Sequence, residues 1–375
     1  MSVNGGSPRY QRVLIFFVGL IGDSLVSIPA LRAIRRAVGS ACIVDLLHEH
    51  YVRLPISSAD IFGPLSLINN AISYCVDDGL LKKLGGAFSA LMKIRRARYD
   101  AVFYLMPSQR DSVSVRRDRI FFHLAGVRVQ YGFKTFSPQE LVPRLADGSP
   151  ARVEHESLMY LRRFAETGFP VAPDSAGWAL VPPSDASVFA DQWLQSARKY
   201  PSRRLVAIGV ATKQPSKNWP LERLEQVGKH LVERGDCELV VVGGLPDLLA
   251  ARRLVSKWGA GLVAAGQFNL MQSAALLRQC DLLIGLDTGT SHLAAAVGTR
   301  CVAIYSGHNW PGRWDPLGTG HFILREPVPC AGCLKRVCPI PAHPCINGIL
   351  AVRVIAAVDT ALSVPRNERF FRAVN

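Results

Sequence analysis

Short runs of apolar residues alternate with longer amphipathic segments along most of the chain. Residues 12–18 (RVLIFFV) and 281–286 (DLLIGL) are short, mainly apolar runs of the kind found in strands buried on both faces of a sheet. Between such runs lie segments like 25–38, which are apolar on one side and carry arginines on another, as helices covering a sheet do. A strand, a helix and a second strand in succession predict parallel pairing. The pattern therefore predicts an α/β fold.

The same pattern predicts elements in both halves of the chain. Strands are predicted at 12–18, 41–47, 72–76, 99–106, 129–133, 204–210, 237–243, 281–286 and 301–305. Helices are predicted at 25–38, 80–98, in a segment ending at 124, and at 154–167, 186–200, 219–233, 246–258, 270–279, 292–297 and 349–363. The Pro-, Ala- and Gly-rich stretch 170–183 predicts a linker, which gives an N-terminal domain at 1–172 and a C-terminal domain at 173–350.

Composition and charge narrow the class of protein. The 375 residues are 49% hydrophobic and 19% charged, which excludes a disordered chain and leaves room for two domains. The formal net charge of +15 favours an acidic partner, such as nucleic acid, anionic lipid or a phosphorylated glycan. There is no pattern of a secretory signal, and the apolar run at 13–20 is too short to span a bilayer. We therefore expect a cytoplasmic protein whose basic surface suits contact with the inner face of the membrane.

The stretch 280–318 has the layout of an anion-binding unit. Its apolar run ends at Asp287, small hydroxyl-bearing residues follow, and a short helix runs up to Gly298. The free N–H groups and the positive dipole at the start of that helix would face a ligand above the strand ends. This layout predicts a site for the diphosphate of a nucleotide-sugar.

Three stretches together resemble glycosyltransferase family 9, the heptosyltransferase-like enzymes of lipopolysaccharide core synthesis. They are GLIGDSLVSIPALRAIRR at 19–36, ATKQPSKNWPLERL at 211–224, and LDTGTSHLAAAVG at 286–298 with NWPGRWDPLG at 309–318. Residues 110–133, with LAG and YGF, are also similar to this family. The resemblance extends from about residue 13 to residue 349.

This resemblance implies a GT-B fold, with two Rossmann-like domains and their parallel sheets facing a central cleft. It implies inverting transfer of a heptose from ADP-heptose to a lipid A–core acceptor without a catalytic metal or other cofactor. The implied partners are a nucleotide-sugar donor and an anionic lipid-linked glycan acceptor, and no nucleic acid. As in other GT-B enzymes, the last segment, 351–375, is expected to pack back on the N-terminal domain.

Asp23 is the candidate general base. A carboxylate at the end of a strand can take the proton of an acceptor hydroxyl. By residue type alone, an aspartate here would more often cap the following helix. The family motif favours the base, and Gly22, which precedes it, is assigned to substrate binding.

Lys217 is the second candidate catalytic residue. The departing nucleoside diphosphate gains negative charge, which a lysine, a hydroxyl and helix-start amides can neutralise. In the resemblance, Lys217 matches the phosphate-binding lysine, while Thr212 supplies a hydroxyl and Lys213 adds positive charge. A solvated loop lysine is the commoner fate of this residue type.

The start of the helix after 281–286 supplies further candidates for substrate binding. They are Asp287, Thr288, Gly289, Thr290 and His292. Gly289 allows close backbone approach, and the matching family aspartate holds the sugar or orders the turn. His292 is equally well explained as a packed structural histidine.

Several arginines suit an acidic acceptor, since guanidinium groups bind carboxylates and phosphates in bidentate fashion. Arg110 is assigned to substrate binding. The helix face that carries Arg32, Arg35 and Arg36 would meet the same acidic acceptor, although a solvated basic face explains Arg35 and Arg36 better. The resemblance places Arg313 and Trp314 in a loop that closes the cleft. Asp247, which follows Gly243 and Gly244, is a candidate for contact with the ribose.

A residue just before the first glycine departs from the family pattern, and a cluster of cysteines near the C-terminus is a separate candidate site. Many family members have a basic residue two positions before the first glycine, where this chain has Phe17. The cysteines at 330, 333, 338 and 345 have a spacing compatible with zinc, although buried free thiols explain them as well. We assign no metal to the catalytic site.

Two other function classes remain open from the residues alone. A nicotinamide-dependent oxidoreductase would suit Rossmann-like halves, but neither half contains G-x-G-x-x-G followed by an acidic residue after the second strand. A basic nucleic-acid binder would suit the charge, but the sequence contains no recognition module.

Overall fold

The computed structural model describes residues 10–50, 56–75, 80–169, 171 and 177–364. The chain divides into two compact units. Unit 1 comprises Met1–Leu141 and Glu154–Gly177, and unit 2 comprises Val142–Val153 and Trp178–Asn375.

Unit 1 contains a five-stranded parallel sheet in the order β3-β2-β1-β4-β5. Its strands are β1 (Arg12–Phe17), β2 (Ile43–His50), β3 (Asn70–Cys75), β4 (Ala101–Leu105) and β5 (Val129–Tyr131). Its helices are α1 (Ile21–Val38), α2 (Ala59–Phe62), α3 (Leu80–Ala97), α4 (Ser112–Leu124), α5 (Pro138–Leu141) and α6 (Glu156–Glu166). The central strand β1 is buried from Val13 to Phe17, as expected of a strand covered on both faces.

Unit 2 contains a six-stranded parallel sheet in the order β11-β10-β9-β6-β7-β8. Its strands are β6 (Arg204–Gly209), β7 (Cys237–Val242), β8 (Leu262–Val263), β9 (Leu282–Leu286), β10 (Arg300–Tyr305) and β11 (Phe322–Arg325). Its helices are α7 (Ser184–Ala197), α8 (Leu221–Arg234), α9 (Leu248–Trp258), α10 (Leu270–Gln279), α11 (Gly289–Ala296), α12 (Pro344–Asn347) and α13 (Ala351–Ser363). Single 3₁₀ turns precede α8 and α9, at Pro215–Lys217 and Leu245–Asp247.

The predicted α/β class with parallel sheets is confirmed in both units. The pattern missed β8 and β11, which have two and four half-buried residues. Strands this short at a sheet edge lack the apolar run by which a buried strand is recognised.

The final helix α13 packs within unit 2, and its expected contact with the N-terminal domain stays a prediction. Its buried residues Val354, Val358 and Leu362 belong to the core of unit 2, and the helix lies against α8 and β10. The guanidinium of Arg300 on β10 also donates to the carbonyl of Ala361 at 2.6 Å. The apolar face of α13 thus completes the core of unit 2; residues 365–375 lie outside the described part.

The segment 142–153 is an excursion of the chain into unit 2 that no sequence pattern indicated. The Val153 amide donates to the carbonyl of Pro311 at 2.9 Å, and the Trp310 indole donates to the carbonyl of Pro143 at 3.2 Å. Arg152 pairs with Asp315, with Nη1 3.2 Å from Oδ2. Among the described residues, no helix is long and apolar enough to cross a bilayer.

Candidate active site

In each unit the strand order reverses beside the first strand, and ligands of open parallel sheets bind outside the carboxyl ends of the strands at such a point. In unit 1 the reversal lies between β1 and β4, and in unit 2 between β6 and β9. The loop after β1 leads to Asp23, the loop after β6 carries Lys217, and β9 is followed by Asp287. The predicted site residues therefore lie at the switch points of the two sheets.

Lys217 and Asp287 form an ion pair at the switch point of unit 2. Lys217 Nζ lies 2.9 Å from Asp287 Oδ2, and the two side chains are 13% and 4% exposed. Asn309 Nδ2 donates to the same carboxylate oxygen at 3.0 Å. The carboxylate thus fixes the position of the ammonium, whose remaining N–H bonds can bind an anion.

Thr212 shapes the loop that carries Lys217. Its amide donates to Asn218 Oδ1 at 2.7 Å, and its hydroxyl donates to the carbonyl of Gln214 at 2.7 Å. The hydroxyl also accepts from the Gln214 amide at 3.1 Å. Thr212 therefore stabilises this turn. Its predicted contact with the substrate stays a prediction.

Lys213 is exposed on the same loop, near Asp247. The carboxylate of Asp247 accepts from the Gly244 amide at 2.8 Å after β7. Burial raises the pKa of Asp247, while Lys213 opposes that rise. The two side chains are thus electrostatically coupled.

The start of α11 presents backbone donors at the end of β9. Thr288 is the N-cap residue, and Gly289 and Thr290 form the first turn, whose N–H groups have no acceptor within the helix. Ser291 Oγ donates to the carbonyl of Leu286 at 2.7 Å, which ties the helix to the strand. A Cβ atom at Gly285 would lie 2.6 Å from that Oγ, so this glycine permits the close approach.

His292 lies on the buried side of α11, with its ring edge-on to Trp314 at 6.5 Å between centroids. Burial lowers the pKa of His292 to about 4. Burial, followed by the charge of Lys217, also lowers the pKa of His308, whose Nδ1 lies 3.1 Å from the Lys335 carbonyl. Both imidazoles are thus neutral near pH 7, and Lys217 is the cation beside Asp287.

Asp23 lies in the first turn of α1 and not in a preceding turn, because the helix begins at Ile21, four residues earlier than predicted. Its Oδ2 accepts from the amide of Leu20 at 2.7 Å. Asp23 is therefore not the N-cap residue of a helix from Leu25; it is the third residue of α1, and its carboxylate caps the helix by accepting from the amide of the N-cap residue Leu20. A Cβ atom at Gly19 would lie 2.5 Å from that of Asp23, which explains the first glycine of the motif, while Gly22 lies in the same helical turn.

A group of buried polar residues, which the sequence did not single out, anchors the end of β4. Glu156 on α6 accepts from the Ser108 amide at 2.5 Å and from its hydroxyl at 2.7 Å. Arg163, 1% exposed, donates to the carbonyl of Met106 at 2.7 Å. Burial raises the pKa of Tyr160, and the charges of Glu156 and Asp23 add to this rise. From the sequence pattern, these residues would be expected on the solvent-exposed side of an amphipathic helix. Only the packing of α6 shows that they are buried.

The arginines predicted to meet an acceptor have internal partners. Arg110 Nη2 lies 3.1 Å from Oδ2 of the buried Asp118. Arg32 donates to the carbonyl of Gly177 at 3.0 Å, and Arg35 to the carbonyl of Cys42 at 2.7 Å. These contacts hold the guanidinium groups in place at the unit surface.

Arg313 is fully buried, and the carbonyl of its neighbour Trp314 accepts from the Tyr305 hydroxyl at 3.0 Å. These contacts fix the loop after β10 within unit 2. Its predicted closing role stays a prediction, as do the catalytic and binding roles above.

The model of glycosyltransferase family 9 (heptosyltransferase) matches residues 93–343, which is more than half of the chain. The chain belongs to this family. Lipopolysaccharide heptosyltransferase 2 of Escherichia coli K12 is 23% identical over 84% of the chain and 88% of its own length. The enzyme class is therefore a glycosyltransferase, in place of the oxidoreductase alternative.

Solved structures agree with this family 9 glycosyltransferase in fold. A family 9 glycosyltransferase from Veillonella parvula superposes with a TM-score of 0.69 at 19% identity, covering 94% of this chain and 97% of that one. E. coli heptosyltransferase WaaC, solved with ADP-2-deoxy-2-fluoro heptose, superposes with a TM-score of 0.61 at 17% identity, covering 93% and 99%. The predicted GT-B fold with two Rossmann-like units is thus confirmed.

Four of the nine cysteines of this family 9 enzyme, at 330, 333, 338 and 345, lie in the segment that contacts the loop carrying Lys217. The Ser216 amide donates to the carbonyl of Arg336 at 3.1 Å, and the Gly332 amide donates to the carbonyl of Gly307 at 2.8 Å. Cys345 is buried and Cys330, Cys333 and Cys338 are half-buried, all as free thiols. Within the described ranges, no group of three or more His, Cys, Asp and Glu side chains is arranged to hold a metal ion.

Proposed function

We propose that this enzyme transfers a heptose from ADP-heptose to the core of lipopolysaccharide, with inversion at the anomeric carbon. The names of the relatives support this donor and acceptor, since one is a lipopolysaccharide heptosyltransferase and another was solved with an ADP-heptose analogue. The observation that carries the proposal is the Lys217 cation, held by Asp287 beside the free amides of α11. This arrangement suits a diphosphate leaving group.

The reaction assigns a distinct role to each group. Asp23 accepts the proton of the acceptor hydroxyl, and the hydroxyl oxygen forms a bond to the anomeric carbon. The bond from that carbon to the diphosphate breaks, and ADP leaves with one more negative charge. Lys217 and the amides of Gly289 and Thr290 neutralise this charge, while Asp287 holds Lys217 in place.

The acceptor is anionic and lipid-linked in this proposal. Arg110 on unit 1 is the candidate for contact with its acidic groups, since Asp118 orients the guanidinium from one side. Such an acceptor lies at the inner face of the cytoplasmic membrane, so the enzyme would act as a peripheral protein there.

The test uses the purified full chain with ADP-heptose and a heptose-deficient core acceptor. We expect one ADP for each acceptor that gains a heptose, measured by coupled ADP detection and by product mass. Parallel reactions with ADP-glucose and a UDP-sugar should be slower by at least about tenfold, because one lost hydrogen-bonded substrate group costs about 1.4 kcal/mol or more. Faster turnover of another nucleotide-sugar would overturn the donor assignment, and ADP release independent of acceptor would overturn the transfer.

A further inference from the structure

The helix α4 exposes an apolar face directly opposite the face that it buries. Val115 and Phe122 point into unit 1, where the Phe122 ring packs edge-on against Phe16 at 5.1 Å between centroids. At 100° per residue, Val113, Ile120 and Leu124 fall together on the opposite side. They are 77%, 51% and 57% exposed.

The helix α3 lies against α4 and exposes a further large apolar side chain. Arg95 Nη1 donates to the carbonyl of Leu124 at 3.0 Å. Phe88 lies two turns before Arg95 on the same side of α3 and is 66% exposed. We call Phe88, Val113, Ile120 and Leu124 the apolar face of unit 1. Four large apolar side chains exposed on these two helices indicate an interaction surface for a protein or a membrane.

The charges around this face are strongly positive. Residues 80–128 contain eleven Lys and Arg against three Asp. Asp118 is buried against Arg110 and Arg117, and Asp111 caps α4 by accepting from Ser114. The side chains of Arg116 and Arg119 are exposed on α4 itself, beside Ile120. The exposed charged side chains at 93–98 and 116–119, in and next to the helices that carry this apolar face, are therefore all positive.

We propose that the apolar face of unit 1 docks on an anionic phospholipid bilayer. Aliphatic and aromatic side chains that enter the acyl boundary, with arginines at headgroup level, are the pattern of an interfacial helix. A second copy is disfavoured, because a symmetric contact would bring the arginines of this face against their own equivalents. Nucleic acid is disfavoured, because three of the four side chains, Val113, Ile120 and Leu124, are aliphatic and offer no stacking surface for bases. The inference rests on the proposed membrane-linked acceptor and names the surface that meets the membrane.

The experiment measures co-sedimentation of the full chain with vesicles of phosphatidylcholine alone or with one third phosphatidylglycerol. We expect binding to the anionic vesicles, and a reduction in 0.5 M NaCl. Ile120→Glu should weaken that binding at least about tenfold, and Ile120→Glu with Leu124→Glu should abolish it, because apolar contact and charge are lost together. Arg116→Ala should weaken it about fivefold at low salt.

Val188→Glu is the matched control. Val188 is 52% exposed, like Ile120, but lies on α7, which contains two Asp and no Lys or Arg. This variant should bind vesicles as the wild type does. Circular dichroism and transfer to a delipidated, soluble acceptor should be unchanged in Ile120→Glu, which shows that the fold and the reaction are intact.

Three results would overturn the proposal. They are equal binding of wild type to neutral and anionic vesicles, wild-type vesicle binding by the double variant, and a dimer in sedimentation velocity that Ile120→Glu dissociates. Failure of the donor assay with intact vesicle binding would instead refute the proposed function and leave the docking surface standing.

Discussion

Lys217 Nζ lies 2.9 Å from Oδ2 of Asp287, although the two residues are 70 positions apart in the chain. They meet because β6 and β9 are neighbours in the sheet of unit 2. A nearly buried ion pair of this kind is costly to break from one side, since the remaining charge is left without compensation. The pair therefore links the stability of unit 2 to its proposed chemistry.

Lys217→Met should lower both stability and transfer. We expect a loss of about 3 to 5 kcal/mol in the free energy of unfolding, because the buried Asp287 carboxylate loses its cation and retains the neutral Asn309 amide. Transfer should fall by about 10² to 10³ in kcat, because the leaving diphosphate loses its cation. Chemical denaturation and ADP release measure the two effects.

The double variant Lys217→Met with Asp287→Asn separates the loss of stability from the loss of transfer. With both charges removed, most of the stability should return while transfer stays low. A Lys217→Met enzyme that keeps wild-type kcat/KM would show that the ion pair is structural only.

Asp23→Asn and Asp23→Ala form a matched pair. Asparagine keeps an oxygen that can accept from the Leu20 amide, whereas alanine does not. Both should lower kcat by about 10² to 10⁴, because neither can take the acceptor proton. Only alanine should also cost about 1 kcal/mol of stability, as lost helix caps do. Normal transfer by Asp23→Asn would remove the base from this position.

Acid should destabilise the protein through His321 and His292, whose pKa values are lowered. In His321, Nδ1 accepts from the Cys301 amide at 3.1 Å and Nε2 lies 3.0 Å from the Leu317 carbonyl, which fixes a neutral ring. Burial lowers the pKa of His321 to about 4, like that of His292. Between pH 6.5 and 4 the unfolded chain therefore binds protons that the folded chain does not.

Each of these histidines should lower the free energy of unfolding by about 1.4 kcal/mol for each pH unit below 6.5, with no effect above about pH 7. His321→Gln can keep both hydrogen bonds and cannot titrate, so its stability should depend less steeply on pH. Urea unfolding at pH 7.5, 6.0 and 5.0 measures this. Parallel curves for the variant and the wild type would contradict the assignment of a neutral imidazole at His321.

Gly228→Ala should destabilise unit 2 although it places a better helix former in α8. An added Cβ atom would lie 2.1 Å from Cε2 of Trp258 on α9. Overpacking of this kind costs about 1 to 3 kcal/mol. The added Trp258→Leu change should lessen that penalty.

Gly86→Ala in α3 is the control, because nothing lies within 4 Å of its added Cβ. It should stabilise the protein by about 0.5 to 1 kcal/mol. Thermal melts compare the two, and equal shifts for both would contradict the packing account.

The sequence by itself determined the parallel α/β class, most helices and strands, and the family. Apolar runs, helix periodicity and the glycine-bearing motifs are local, so each is visible in its own stretch of chain. The position of Asp23 after β1 and of Lys217 after β6 follows from chain order alone. The motif could not place the start of α1, since the choice of its first turn depends on the hydrogen bond from Leu20 to Asp23.

Only the tertiary structure decided which strands are neighbours and which polar groups are buried. The order β9-β6-β7 joins Lys217 to Asp287, and the packing of α6 buries Glu156 and Arg163 against the loop after β4. The same is true of α13, whose apolar face fits the core of unit 2. A local pattern gives the face that a helix must bury, but the surface that buries it is set by contacts between distant parts of the chain.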